Sequence, residues 1–105
     1  MKLSTKDIIS FCIDRGLKQF HIDCKWGLTN NADDIPESAR NAIKGKKEDF
    51  FSEYNYFIII KTEGANTEKI SNLVAKSLTG SGPEDAGGFV QMASDSVIVA
   101  GLKIE

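Results

Sequence analysis

The run "YFIII", Tyr56 to Ile60, constrains the fold more than any other part of the sequence, because it presents apolar side chains to both faces of an extended chain. A strand with one face in water alternates apolar and polar residues, whereas a strand that is apolar on both faces needs cover on both sides. We therefore predict an interior strand over Tyr54–Thr62. The segment Val97–Ile104 is equally apolar and predicts a second interior strand.

The sequence before this run predicts a helix followed by a half-buried strand. Ser4 and Asp7 form a capping-box pattern, and Gly16 is the expected end of the helix. The segment "QFHIDCKW", residues 19–26, alternates strictly between apolar and polar residues, as a strand with one face in water does. The apolar face of this strand would carry Phe20, Ile22, Cys24 and Trp26.

The rest of the chain predicts two more helices and a hairpin. Asp34 and Glu37 are placed to cap a helix that runs to Phe50, although Gly45 weakens its middle by about 1 kcal/mol relative to alanine. The remaining expected elements are a third helix from about Asn66 or Thr67 to Gly80 and a hairpin of Phe89–Ala93 and Val97–Ile104. The order αβαβαββ therefore predicts a single α/β domain over residues 1–105, with a mixed β-sheet of about four strands packed by three helices.

Composition and charge limit the partners of such a domain. The net charge is −2 over 105 residues and the pI is near 5.4, so the chain lacks the basic face of a nucleic-acid binder but is compatible with a basic protein partner. The amino terminus has no apolar leader segment, and no run approaches the ~18 apolar residues of a membrane span. We therefore expect a cytoplasmic protein. Cys12 and Cys24 are expected to be free thiols, and no pattern indicates a metal or a cofactor.

Two features would suit a small ligand-binding or enzymatic α/β domain. His21 and Asp23 lie two residues apart on the exposed face of the first strand, a spacing that suits an acid–base pair. The glycine-rich loop at residues 80–88 has glycines that a phosphate could use, but it lacks the Lys-Ser/Thr of a P-loop and precedes a strand rather than a helix. A surface histidine beside a surface carboxylate is the simpler interpretation, and we expect no enzymatic activity.

Three segments resemble the immunity proteins of the anticodon-cleaving, E-group colicins. They are the opening "MKLSTKDIISFC", the pair Ile22-Asp23 with a tryptophan just after it, and above all "PESARNAIKGKKEDFFSEYNYFII". Together they extend over residues 1–61. The matched positions in the longest segment are Pro36, Glu37, Arg40, Ala42, Ile43, Lys47, Asp49, Tyr54, Phe57, Ile58 and Ile59.

This resemblance implies an inhibitor rather than an enzyme. Proteins of that family are small α/β domains that bind the ribonuclease domain of a secreted toxin and block its tRNA-binding cleft. The chain departs from the family in a shorter loop after the first strand and in an added helix and hairpin over residues 62–105. The toxin could therefore be the tRNA-cleaving ribonuclease that the family implies, another colicin-like nuclease, or a contact-dependent or other secreted effector.

A toxin-binding surface follows from the chemistry of such a partner. A ribonuclease cleft is lined with Lys and Arg, so an inhibitor that fills it needs carboxylates on an exposed element. The loop between the first strand and the second helix meets this need best. The residues predicted to bind toxin are Asp23, Trp26, Asn30, Asn31, Asp33, Asp34 and Glu37, and the second choice is Glu84 with Asp85.

Overall fold

The computed structural model describes residues 4–62, 66–80, 86–94 and 96–104, which form four α-helices and four strands. The helices are α1 (Thr5–Gln19), α2 (Glu37–Arg40), α3 (Lys47–Glu53) and α4 (Thr67–Gly80), and a 3-10 turn (Ala32–Asp34) precedes α2. The strands are β1 (Lys25–Thr29), β2 (Tyr56–Lys61), β3 (Ala86–Ala93) and β4 (Val97–Ile104). The predicted α/β class and the single four-stranded sheet are confirmed.

The sheet has the order β1-β2-β4-β3, and every neighbouring pair is antiparallel. The two strands predicted to be interior, β2 and β4, are the interior strands. A mixed sheet contains parallel as well as antiparallel pairs, and this expectation was wrong because all three pairs are antiparallel. Strands β2 and β3 run in the same direction and are joined through α4, but β4 lies between them, so these two parallel strands never become neighbours.

Both faces of β2 are covered, as its apolar run predicts. Ile58 and Ile60 face a core shared with α1 and α4, whereas Phe57 and Ile59 face a second core formed with the segment that contains α2 and α3. The first core includes Ile9, Ile13, Leu17, Ile70, Leu73, Val74, Ile98, Ala100 and Leu102; the second includes Ile35, Ala39, Ala42, Ile43, Phe50, Val97 and Val99. The domain is therefore a three-layer structure with the sheet in the middle.

Helix α1 begins as predicted but ends later. The Asp7 amide donates to Ser4 Oγ at 3.2 Å and the Ser4 amide donates to Asp7 Oδ2 at 3.2 Å, which is the capping box. The predicted end at Gly16 was wrong, because the helix continues to Gln19. Leu17 is buried in line with Ile13, so packing against the first core holds the last turn in place.

The second predicted helix is broken into α2 and α3. Gly45 lies between them with φ +83°, a left-handed conformation that an α-helix cannot contain. The predicted cap was also wrong: Pro36 occupies the N-cap position of α2, and no side chain caps that helix. The residues predicted on the inner face are nevertheless all buried, namely Ile35, Ala39, Ala42, Ile43 and Phe50. The apolar pattern therefore predicted which residues are buried, although it did not predict the break in the helix.

The predicted position of the first strand was largely wrong: β1 is shorter and lies later in the chain, so that only Lys25 and Trp26 of residues 19–26 belong to it. Gln19 still belongs to α1, His21 has φ +54°, and β1 begins only at Lys25. The alternation of faces survives outside the regular strand, because Ile22, Cys24 and Trp26 pack against the first core. Phe20 was predicted on this face but is 45% exposed, since the chain reverses there rather than extending.

The C-terminal elements agree with the sequence. Helix α4 covers the predicted third helix, and β3 and β4 form the predicted antiparallel hairpin, with β3 beginning earlier at Ala86. Gln91 Nε2 donates to the Ser71 carbonyl at 3.0 Å and so joins β3 to α4. None of the helices in the described segments combines the length and the apolar character that a membrane crossing requires.

Candidate functional site

The predicted toxin-binding loop forms a compact turn at the end of β1, which we call the acidic turn and define as residues 30–37. Asn31 Oδ1 accepts from the Asp33 amide at 3.0 Å and so caps the 3-10 turn. Thr29 Oγ1 accepts from the Asn31 amide at 3.1 Å and donates to Asp34 Oδ2 at 2.9 Å. These side-chain bonds fix the turn locally, and Asp34 serves the turn rather than the cap of α2.

The Arg40 side chain anchors the acidic turn by donating hydrogen bonds to two of its backbone carbonyls. Its Nε donates to the Ile35 carbonyl at 2.9 Å and one terminal nitrogen donates to the Ala32 carbonyl at 2.7 Å. The guanidinium carbon also lies 5.3 Å from the centroid of the Phe51 ring on α3, within the range of a cation–π contact. One side chain therefore ties the turn to α2 and α3. In the sequence Arg40 was only one of many matched positions, because its two acceptors are backbone atoms that no pattern marks.

The carboxylates of the acidic turn point to solvent. Asp33, Asp34 and Glu37 are all exposed, as are the two neighbouring amides Asn30 and Asn31. Ile35, in the middle of the turn, is buried in the second core and anchors it to the sheet. The structure therefore brings five of the seven predicted residues together on one projecting element.

Trp26 packs on the opposite face of the sheet from the acidic turn. Its indole packs against the first core, on the face of the sheet opposite to Ile35, and its Nε1 donates to Asp14 Oδ1 of α1 at 2.8 Å. A shallow groove of about 500 Å³ runs along β1 and is bordered by Trp26, Asn30 and Asp34. Trp26 thus reaches the edge of the predicted surface as a half-buried, hydrogen-bonded side chain.

The groove also carries three lysines that sequence reasoning did not assign to it: Lys6, Lys25 and Lys61. Lys25 and Lys61 are directly opposite each other in the β1–β2 register. No local signal could have found this pair, because the two residues are distant in sequence and meet only through strand pairing. The predicted acidic surface therefore borders a basic one.

Asp23 and His21 lie at the other end of β1 from the acidic turn. Both are exposed, and both border a small cavity of about 280 Å³ that is also lined by Asn66 and Lys69 near the start of α4. No hydrogen bond joins the two side chains in the described part of the chain. Strand β1 has five residues and is therefore about 14 Å long from first to last Cα, so Asp23 cannot extend the acidic turn as predicted.

The two parts of the alternative ligand-binding site, the His21–Asp23 pair and the glycine-rich loop, also lie far apart. The His21 cavity lies near the start of α4, whereas the glycine-rich loop follows Gly80 at its end. Helix α4 has 14 residues, so its two ends are about 20 Å apart. Residues 81–85 of this loop, which include the second-choice binding residues Glu84 and Asp85, lie outside the described residues.

Cys24 is not an activated nucleophile. Neither Cys12 nor Cys24 is in a disulfide, and both are half-buried. Burial raises the pKa of the Cys24 thiol, and the nearby Asp23 carboxylate raises it further. A raised thiol pKa lowers the fraction of thiolate at neutral pH, so Cys24 is less reactive than an ordinary cysteine. Among the described residues no group of three or more His, Cys, Asp or Glu is placed to hold a metal ion.

Comparisons with known proteins add no relative to this description. No protein-family model matches the chain, and neither a curated protein nor a solved structure matches it significantly.

Proposed function

We propose that this chain is an immunity protein: it binds the nuclease domain of a cognate secreted bacterial toxin in the cytoplasm and covers the cleft that would hold RNA. The toxin that the sequence resemblance implies is a tRNA-cleaving ribonuclease. The observation that carries the proposal is the acidic turn, whose three carboxylates are exposed on a backbone held by the hydrogen bonds of Thr29, Asn31 and Arg40.

The chemistry of the turn suits a ribonuclease cleft. Such a cleft holds Lys and Arg side chains for the RNA phosphates, and carboxylates form charge-assisted hydrogen bonds with the same groups. Asp33 and Glu37 project from the turn without a hydrogen bond from another described side chain, so both are available to a partner. Because the turn is already ordered, little conformational entropy is lost when it binds.

The basic edge of β1 restricts how the toxin docks. Lys25 and Lys61 lie at the opposite end of the strand from the acidic turn. A basic partner is attracted to the turn and repelled by these lysines, so the contact is centred on residues 30–37 rather than on the whole groove.

The proposal is tested by co-expression with the nuclease domain encoded next to this gene. We expect the wild-type chain to rescue growth and to form a complex on a sizing column. Reversing two carboxylates, Asp33→Lys with Glu37→Lys, leaves Asp34 bonded to Thr29 and should lower affinity at low salt, mainly by slowing association. The matched control is Glu48→Lys with Glu53→Lys, which makes the same charge change at exposed positions on α3.

Several outcomes would contradict the proposal. Absence of both rescue and complex formation would reject an immunity function for this pair of genes. Equal loss of affinity in the two double variants would mean that net charge, not the acidic turn, sets binding. If Glu84→Lys with Asp85→Lys abolished binding while the turn variant did not, the second-choice surface would make the interface. Loss of rescue in His21→Ala with Asp23→Asn would instead favour the ligand-binding or enzymatic alternative.

A further inference from the structure

Strand β1 forms an open edge of the sheet. It pairs with β2 on one side, and no backbone hydrogen bond joins residues 25–29 to any other segment of the described chain. Gly27, in the middle of the strand, is exposed, and a Cβ atom built there meets no atom within 4 Å. An edge of this kind can accept another strand through its unpaired backbone groups.

One face of this edge is polar along its length, with opposite charges at its two ends. Lys25, Gly27 and Thr29 pair with Lys61, Ile59 and Phe57, and the last two belong to the second core, so these three β1 residues share the face that carries the acidic turn. The end at Lys25 has two lysines and Asp23, a net charge of +1. The end at Thr29 has Asp33, Asp34 and Glu37 with Lys6 and Arg40, a net charge of −1.

The basic end is unfavourable within a single chain. Like charges directly opposite each other on neighbouring strands destabilise a sheet, and Lys25 and Lys61 form such a pair. Asp23 lies next to them but supplies one negative charge for two positive ones. A carboxylate from outside the chain would relieve the remaining repulsion.

From this distribution of charge we infer that the β1 edge binds a second copy of this chain, by antiparallel β1–β1 pairing about a two-fold axis at Gly27. In this register Lys25 of one copy lies opposite Thr29 of the other, beside the Asp34 carboxylate that Thr29 holds at 2.9 Å. The two-fold axis repeats the contact, so both basic ends meet acidic ends. The two Gly27 residues face each other at the two-fold axis.

This inference is independent of the proposed function, but it has a consequence for it. The dimer covers part of the acidic turn, so a toxin that binds there would compete with the second copy.

Sedimentation equilibrium from micromolar to millimolar concentration tests the inference. We expect a reversible dimer whose Kd rises with salt, because the contacts are exposed charges. Lys25→Glu should raise the Kd at least about tenfold, since symmetry places the reversed charge beside Asp34 twice. Lys76→Glu, the same change at an exposed position on α4, should leave the Kd unchanged.

A cross-link tests the register. In antiparallel pairing the Cα atoms of directly opposite residues are ~4.5–5.5 Å apart, which a disulfide can span. Gly27→Cys, made with Cys12→Ala and Cys24→Ala, should therefore form a disulfide dimer on mild oxidation. Ser52→Cys in the same background, exposed on α3, should stay monomeric. A monomer at every concentration, or a dimer that neither Lys25→Glu weakens nor residue 27 cross-links, would overturn the inference.

Discussion

Replacing Arg40 tests whether one side chain holds the acidic turn. Arg40→Met keeps most of the packing of the stem but removes both hydrogen bonds to the Ala32 and Ile35 carbonyls and the contact with Phe51. A hydrogen bond to a charged group contributes ~1.5–3 kcal/mol and a cation–π contact ~0.5–1 kcal/mol at an exposed site. Arg40 is only half-buried and both carbonyls regain water in the variant, so we expect a loss just below the low end of the sum, about 3 kcal/mol in the free energy of unfolding.

Arg40→Lys refines the same test. Lysine retains the charge and can reach one carbonyl, but it cannot bridge two acceptors with a rigid fork, so the loss should be about half as large, ~1.5 kcal/mol. Urea unfolding followed through the fluorescence of Trp26, the single tryptophan, measures both variants. Arg15→Met is the matched control, because Arg15 is exposed on α1. If Arg40→Met and Arg15→Met unfold at the same urea concentration, Arg40 does not hold the turn.

Three further changes test other parts of the structure. Gly101→Ala should lower the free energy of unfolding by ~1–3 kcal/mol, because the added Cβ would lie 2.8 Å from a Tyr54 ring carbon. The control Gly27→Ala has open space around the added Cβ and should cost little, so equal urea midpoints for the two variants would refute this reasoning. Gly45→Ala should cost ~1–2 kcal/mol through its positive φ, and an unchanged melting temperature would contradict that origin. Because burial raises the pKa of the Cys24 thiol, Cys24 should alkylate slowly at neutral pH, and the alkylation rate should keep rising above the pH at which an ordinary thiol titrates. Mass spectrometry of the labelled peptide measures the rate, and fast labelling at neutral pH would disprove the prediction.

The apolar patterns carried most of the fold. The run at Tyr56–Ile60 was sufficient to predict an interior strand with cover on both faces, because a side chain at either face must be removed from water. The breaks between elements were less predictable. Gly45 was recognised as a weak point, but the choice between a strained helix and two short ones depends on how the buried side chains on either side reach the sheet, which the local sequence does not contain.

The candidate site was predicted only where its residues are adjacent in sequence. Asp33, Asp34 and Glu37 lie within five positions of one another, so their place in the sequence was enough to predict that they lie together. The support from Arg40 and the lysine pair at Lys25 depend on tertiary contacts: a side chain donating to backbone carbonyls, and a register between strands. Neither kind of contact leaves a periodic signal.

The position of β4 has a consequence for how the chain is made. The last of the described strands, β4, occupies the interior of the sheet, between β2 and β3, and supplies buried residues to both cores. Until residues 97–104 leave the ribosome, β2 lacks one of its two neighbours and neither core can close. Until then the nascent chain remains exposed to chaperones and proteases, and a product truncated before Val97 lacks the strand that both cores need.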